Sequence, residues 1–469
     1  MPLTPDVVIV GGGIAGLAAA YDLSRHGTSC VVLEQSPRAG GVILSEQVDG
    51  FTIDGGPDSL LIQKADGAAL CREIGLGDRL ITTKLPRLAY IQRAGRLHPL
   101  PTASVLGIPT RVGPFVRTRL FSWTGKMRMA AELFVPRRRD DADESIGAFM
   151  TRRFGREAST YLAEPLLAGI HAGDVDRLSV QALFPRFVEA ERDHGSLLRA
   201  FRLRRAPASA DGAFHSLPGG LSEMIGALVT AIGEPRVRTG VGVTAIEGHG
   251  PFHVHTTGGE VIPARAVILA TPAYVTSGLT AERGKALSRL CGEIPYASAA
   301  TIALAFERDA IAHPLNGSGF VVPRVERTGL LAASWLSSKW PHRAPEGRVL
   351  LRTFVGGARD PDALERPDKE LVTLSLDALR PLIGVRGQPL FTRIYRWMRA
   401  NAQHEVGHLA RMAAIDRALQ QHPGLFVTGS GFRGVGIPDC IADARRTAVA
   451  VREWLATHRS DVGNLPSAI

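Results

Sequence analysis

Near the N-terminus, Gly11-Gly12-Gly13-Ile14-Ala15-Gly16 has the spacing GxGxxG and follows the apolar run Val7-Val8-Ile9-Val10 directly. In that context Gly11 permits a tight turn, Gly13 lets a pyrophosphate approach the backbone, and Gly16 lets the next helix pack closely on the strand. The helix N-terminus adds free N–H groups and the positive end of its dipole. A second apolar run, Cys30-Val31-Val32-Leu33, ends on Glu34. A carboxylate there accepts hydrogen bonds from both ribose hydroxyls and disfavours a 2′-phosphate. The chemistry these residues support is the holding of a dinucleotide.

Other reactive residue types form no comparable pattern. His171, His194, His404 and His408 stand in unrelated contexts with no HExxH or His/Cys grouping, so no metal site is expected. Ser59 and the other serines lack a GxSxG elbow. Cys30, Cys71, Cys291 and Cys440 show no CxxC spacing, and reduced thiols are expected. Asp174 reads as a turn residue. No protein side chain is assigned a catalytic role.

The elements that position the glycines read as strand, helix to about Arg25, and strand, the opening of an α/β Rossmann-like fold. A chain of 469 residues exceeds what one core serves, so lobes sharing a cleft are expected. No stretch approaches the roughly 18 apolar residues of a membrane span, and the first residues offer no leader pattern, so a cytoplasmic address is expected. The net charge of +10 attracts anions. Its clusters, at Arg137–Arg139 and at Arg202, Arg204 and Arg205, lack interleaved aromatics and read as solvated surface, so nucleic acid is not expected as a partner.

Beyond Glu34 come Gln35-Ser36-Pro37-Arg38-Ala39-Gly40-Gly41 and then Asp54-Gly55-Gly56-Pro57. This acid, RxGG and DxGP-type order resembles the FAD-binding half of the amine oxidase and phytoene desaturase superfamily. The resemblance implies that Arg38, Gly40 and Gly41 lie along the diphosphate, and that the Gly56-Pro57 turn, with Asp58 and Ser59, passes beneath the flavin. Pro218-Gly219-Gly220-Leu221 and the strand near Val241–Ile246 resemble the segment that holds adenine, placing Val243 there. Ala266–Pro272 resembles the crossing to a substrate lobe. The strand ending at Gly429, followed by Gly434-Val435-Gly436-Ile437-Pro438-Asp439-Cys440, resembles the flavin-side C-terminal motif. Asp439 is either a helix cap or a flavin contact.

That last motif, together with three others, resembles the protoporphyrinogen and coproporphyrinogen oxidase family. Arg87-Leu88-Ala89-Tyr90-Ile91 through Pro101 resembles the segment whose arginine pairs with a porphyrinogen propionate, a role for Arg87. Gly169 to Asp174 resembles a segment whose glycine leaves room over the tetrapyrrole, with His171 beside it. Trp340-Pro341-His342-Arg343 resembles a segment in which an aromatic, here Trp340, stands beside the macrocycle, and Leu304 is expected as an apolar wall of the pocket. The family resemblance implies six-electron, oxygen-dependent oxidation of a porphyrinogen in haem biosynthesis by hydride transfer to FAD, with hydrogen peroxide released. Segments 107–128 look more like the soluble bacterial enzymes that accept coproporphyrinogen III. The same stretch forms either a helical lobe, the favoured reading, or a membrane-surface contact. The pattern is altered between Leu203 and Ala210. The implied organisation is a discontinuous FAD-binding domain (1–75, 213–297, 412–469), a mixed α+β substrate-binding domain (76–90, 186–212, 298–411) and a helical insertion (91–185). Partners implied are the porphyrinogen, molecular oxygen and, transiently, neighbouring haem-pathway enzymes. A flavin amine oxidase, a carotenoid desaturase and a non-catalytic binding protein are the alternatives.

Overall fold

The computed structural model describes residues 5–101, 104–105, 107–109, 111–203 and 212–458. Strand Val7–Val10 is buried along its length and lies parallel between Cys30–Glu34 and Ala266–Leu269. Val237–Thr239 and Leu425–Val427 complete a five-stranded parallel sheet, in the order 237–239, 30–34, 7–10, 266–269, 425–427. Both faces are covered, which is why these strands are continuous apolar runs rather than alternating ones. Val7 and Ile9 pack with helices Ile14–Arg25, Ser222–Ile232 and Ile437–Thr457. Val8 and Val10 pack with Phe252, Val254 and Ile262 of an antiparallel meander, Val243–Glu247, Phe252–Thr256 and Val261–Ala264.

A second, seven-stranded sheet runs in the order Phe391–Ala402, Tyr296–Glu307, Arg348–Gly356, Leu330–Trp335, Gly319–Val321, Tyr90–Arg93, Arg96–Pro99. Alternate residues of Tyr296–Glu307 face opposite ways. Ala300, Ile302, Leu304 and Phe306 share a core with Leu371, Leu376 and Leu379 of helix Asp368–Ile383. Ala303 and Ala305 share another with Phe51, Ile53 and Trp340, on the face turned toward the first sheet's loops. This corrects the expectation for Leu304: it is fully buried under the helix and is not a wall of the cleft.

The segments between the sheets' strands build a helical region around Phe149, Phe154, Leu162 and Phe187. It includes Trp123–Ala130, Ile146–Phe154, a π-helix over Ser159–Ala168, and Pro185–His194. Fully buried Glu132 ties it together, accepting from the Arg153 guanidinium, Ser196 Oγ and Leu197 N. Thr110, Arg204, Arg205 and the altered stretch up to Ala210 lie outside the described residues. Among the described residues no helix is long and apolar enough to cross a membrane.

Candidate active site

The glycine loop does what its spacing requires. Gly11 has φ +107°, and a Cβ on it would lie 2.7 Å from Ala270 O, while a Cβ on Gly16 would collide with Gly11 O. Gly13 differs: a Cβ on it would meet nothing within 4 Å. Space is therefore kept in front of Gly13, at the N-terminus of helix Ile14–Arg25, with Ala15 in its first turn. Glu34 Oε2 accepts from Gly12 N at 2.7 Å and Oε1 from Ser36 N at 2.8 Å. Both oxygens are thus fixed, and each keeps a second lone pair for a ligand hydroxyl. Gln35 beside it is exposed, and Val241 N donates to Glu34 O at 2.9 Å, bringing the segment that enters the Val243 strand to the same sheet end.

The second loop closes on the first. Gly40 N donates to Gly12 O at 2.7 Å, and a Cβ on Gly41 would sit 3.4 Å from Gly13 Cα. Arg38 spends its guanidinium on its own loop, donating to Ala39 O, Ile43 O and Gly41 O at 3.2, 3.0 and 2.6 Å. It shapes the loop.

The C-terminal segment approaches from the far side of the sheet. Gly429 has φ +114°, with Ala15 Cβ, at 3.7 Å, the atom nearest to an added Cβ. Val435 and the extended Gly436 lead into helix Ile437–Thr457, whose N-terminus carries no side-chain cap. Asp439 is therefore not the cap. Its two oxygens accept from Lys64 Nζ at 2.7 and 2.6 Å. An acid in the first turn also suits the helix dipole. His171 lies within reach of this pair, and its pKa is pushed down to about 4 by burial and by Lys64, with Asp439 opposing. His404 and His408 stack at 3.8 Å between ring centroids. Their Nε2 atoms donate to Ser430 O (2.9 Å) and Phe432 O (2.7 Å), fixing the link from Gly429 to Gly434.

The turn Asp54–Ser59 is held by a buried charged cluster. Asp54 pairs with Arg343 at 3.0 Å, both fully buried. Asp58 accepts from Lys339 at 2.9 and 3.0 Å, lies 3.4 Å from Arg352, and accepts from Ser59 Oγ at 2.9 Å. Desolvation would raise its pKa, but Lys339 and Arg352 outweigh that and hold it well below the usual carboxylate range. The Asp58 carboxylate is thus turned to these cations. Trp340 belongs to the same cluster, its Nε1 3.4 Å from Asp58 Oδ2 and its side chain without exposure. A residue lining a ligand cleft is exposed when the ligand is absent, so Trp340 is core rather than a macrocycle contact.

Arg87 is half-buried, and its Nε donates to Thr83 O (3.2 Å) and Thr83 Oγ1 (3.0 Å). Gly169 follows the π-helix, and a Cβ there would make an ordinary van der Waals contact with Glu164 O at 3.7 Å, with no collision against a described residue. Among the described residues no group of three His, Cys, Asp or Glu could hold a metal.

Residues 14–452 match the family of flavin containing amine oxidoreductases. The chain belongs to that family. Within it, the chain is 35% identical over 459 residues to the coproporphyrinogen III oxidase of Bacillus subtilis (strain 168), covering 95% of this chain and 97% of that protein. It is 28% identical to the mitochondrial protoporphyrinogen oxidase of Nicotiana tabacum, covering 97% and 96%. A crystal structure from Exiguobacterium sp. 255-15, of a protein provisionally named a protoporphyrinogen oxidase, superposes with a TM-score of 0.85 at 33% identity over 95% of this chain and 98% of that one. The protein is a flavin-dependent oxidoreductase, and its cofactor is FAD. The residues fit that group: open space before Gly13, a fixed acid at the strand end, and an uncapped helix N-terminus at Ile437. Sequence reasoning missed Lys64, Thr301, Arg352 and Trp397. Their only signal is distance in the fold, since each reaches its partner across more than 200 residues.

Proposed function

We propose that this flavoprotein oxidises coproporphyrinogen III to coproporphyrin III in haem biosynthesis. The observation that carries the reading is near full-length similarity, at 33–35% identity, to three bacterial proteins named coproporphyrinogen III oxidase, against 28% to the tobacco mitochondrial protein. The reaction removes six electrons and six protons from the macrocycle, and three molecules of oxygen leave as three of hydrogen peroxide. Bound FAD supplies a two-electron acceptor for each step. The chain's own residues bind and orient. On this reading Arg87 directs its guanidinium at a propionate, and Gly169, lacking a side chain, lies beside the macrocycle. We divide the chain as the family resemblance implies, into an FAD-binding domain (1–75, 213–297, 412–469), a substrate-binding domain (76–90, 186–212, 298–411) and a helical insertion (91–185).

The protein acts in the cytoplasm on this reading. Exposed Val112, Trp123, Met127 and Phe134 among basic residues give the insertion a surface for transient contact with a membrane face or a neighbouring pathway enzyme. Steady-state assays with coproporphyrinogen III and protoporphyrinogen IX, followed by porphyrin fluorescence, test the substrate. A higher kcat/KM for coproporphyrinogen III is expected, and a clear protoporphyrinogen advantage overturns the assignment.

A further inference from the structure

Three consecutive carbonyls of the turn that follows Phe51–Asp54 are gripped from the seven-stranded sheet. Arg352 Nη1 donates to Asp54 O at 2.5 Å and to Gly56 O at 2.6 Å. Gly55 O between them accepts twice, from Thr301 Oγ1 at 2.6 Å and from Trp397 Nε1 at 2.9 Å. The three donors come from three adjacent strands and share one face, because Thr301 pairs with Tyr395 and Phe354, Ala303 with Arg352, and Ala299 with Trp397. Arg352 is about as buried as an arginine becomes, at 2% exposure.

Peptide geometry then dictates where the next amide points. The Gly55–Gly56 bond is not among the cis peptides of the chain. In a trans peptide the N–H is directed opposite to the carbonyl of the same plane. With Gly55 O drawn into the sheet by two donors, Gly56 N–H points out of it, and it donates to no group among the described residues. The turn also packs against the glycine cradle: a Cβ on Gly56 would collide with Val42 O, and a Cβ on neighbouring Gly41 would sit 3.4 Å from Gly13 Cα. Polarisation through the doubly bonded carbonyl makes that amide a stronger donor. The charge of the support has the same sense. Buried Arg343 and Arg352, with partly buried Lys339, pair there with Asp54 and Asp58, a cluster of three cations and two carboxylates.

We propose that Thr301, Trp397 and Arg352 are positioning residues for the flavin: they aim the Gly56 N–H, backed by buried positive charge, at the electron-rich side of the reduced cofactor and so favour reduction. The proposal rests on the FAD assignment but on no substrate. Its test therefore uses none.

The double variant T301V/W397F removes both donors while keeping a β-branched and an aromatic side chain. Its FAD dissociation constant and flavin midpoint potential, measured by dye-coupled photoreduction, are compared with wild type. The expected result is roughly tenfold weaker FAD and a midpoint lower by about 30 mV, which is a tenfold change in a two-electron equilibrium. T301S, which keeps the hydroxyl, is expected to restore the wild-type potential. A purely structural role predicts a lower melting temperature with unchanged potential and FAD affinity, and that outcome overturns the proposal. If the double variant fails to fold, T301V alone carries the same comparison: its potential falls, or the proposal is wrong. A wild-type protein that binds no flavin would sink the cofactor assignment as well, whereas a failed porphyrinogen assay would leave this test untouched.

Discussion

The two sheets contribute to the cofactor cleft in different ways. The five-stranded parallel sheet presents backbone: glycines at 11, 13, 40 and 429, amide donors, and one carboxylate whose oxygens are already tied to main-chain N–H groups. The seven-stranded sheet presents side chains, and only on alternate residues. Thr301 reaches the turn at Gly55, while Ile302 and Leu304 point away into a core under helix Asp368–Ile383. A strand's period of two thus lets one segment serve function on one face and stability on the other. The difference also separates what mutations should do: glycine-cradle changes should strike binding or fold according to the space each glycine faces, and strand changes according to parity.

The parity argument is tested hardest at Leu304. A fully buried leucine cut to alanine costs about 2–5 kcal/mol, depending on how the cavity relaxes. Leu304→Ala is expected to lose stability on that scale in urea melts while each folded molecule keeps its FAD and its Arg87 contacts. Loss of flavin from folded protein, with little change in stability, would put Leu304 back on the cleft side.

Gly13 tests the cradle. Because a Cβ there meets no protein atom, Gly13→Val should leave an apoprotein with near wild-type melting behaviour that binds FAD roughly a hundredfold more weakly, about 2.7 kcal/mol. Gly16→Val should instead damage the fold, since its Cβ has no room. Equal effects at the two glycines would remove the distinction between space kept for ligand and space taken by packing.

How much of this the sequence discloses follows the same division. Backbone function is legible: the helix expected to end near Arg25 spans Ile14–Arg25, and the strand to Glu34 and the last helix after Gly436 stand where the glycines and apolar runs put them. Side-chain function across the interface is not. The run Thr301–Phe306 is apolar or small on both faces because both are buried, so alternation shows that Ile302, Leu304 and Phe306 share a side but not which side faces the cleft. Trp340 likewise reads as an aromatic near a ligand until its indole is found against Asp58. Ion pairs such as Lys64 with Asp439 join residues 375 apart and leave no local pattern.

Acid should unfasten the C-terminal loop. His404 is pushed down to about 3 by burial and by His408, with Ser430 O opposing, and His171 to about 4. His408, lowered by burial and by Arg411, has Asp143 opposing. An unfolded histidine titrates near 6.5. These groups are therefore neutral in the fold but protonate on unfolding, so their contribution is present above about pH 6.5 and is lost as pH falls toward 4 and then 3. At pH 5 each of His404 and His171 should cost about 2 kcal/mol of stability relative to pH 7. Asp58, with its depressed pKa, acts in a separate window: its contribution is present above the usual carboxylate range and fades only at lower pH. Urea melts at pH 7, 6 and 5 check the sign, and H404N, which cannot titrate, should flatten the profile. A pH-independent midpoint down to 5 would mean that the stacked pair is solvated.

The smallest expected effect is at Arg87, where the function stays least legible. A propionate is remote from the carbon bridge being oxidised, so its contact is equally strong in ground and transition states and acts as uniform binding. Arg87 is half-buried and its Nε is anchored to Thr83, which preorganises it at a partly solvated position. The low end of the range for charged hydrogen bonds applies, and Arg87→Ala should raise KM roughly tenfold, about 1.4 kcal/mol, with kcat changed far less. Lysine at this position would keep the charge but lose the Nε donor to Thr83, and should fall between the two. A large fall in kcat at unchanged KM would make Arg87 part of the reacting centre, while wild-type values for both constants would return it to a structural role beside Thr83.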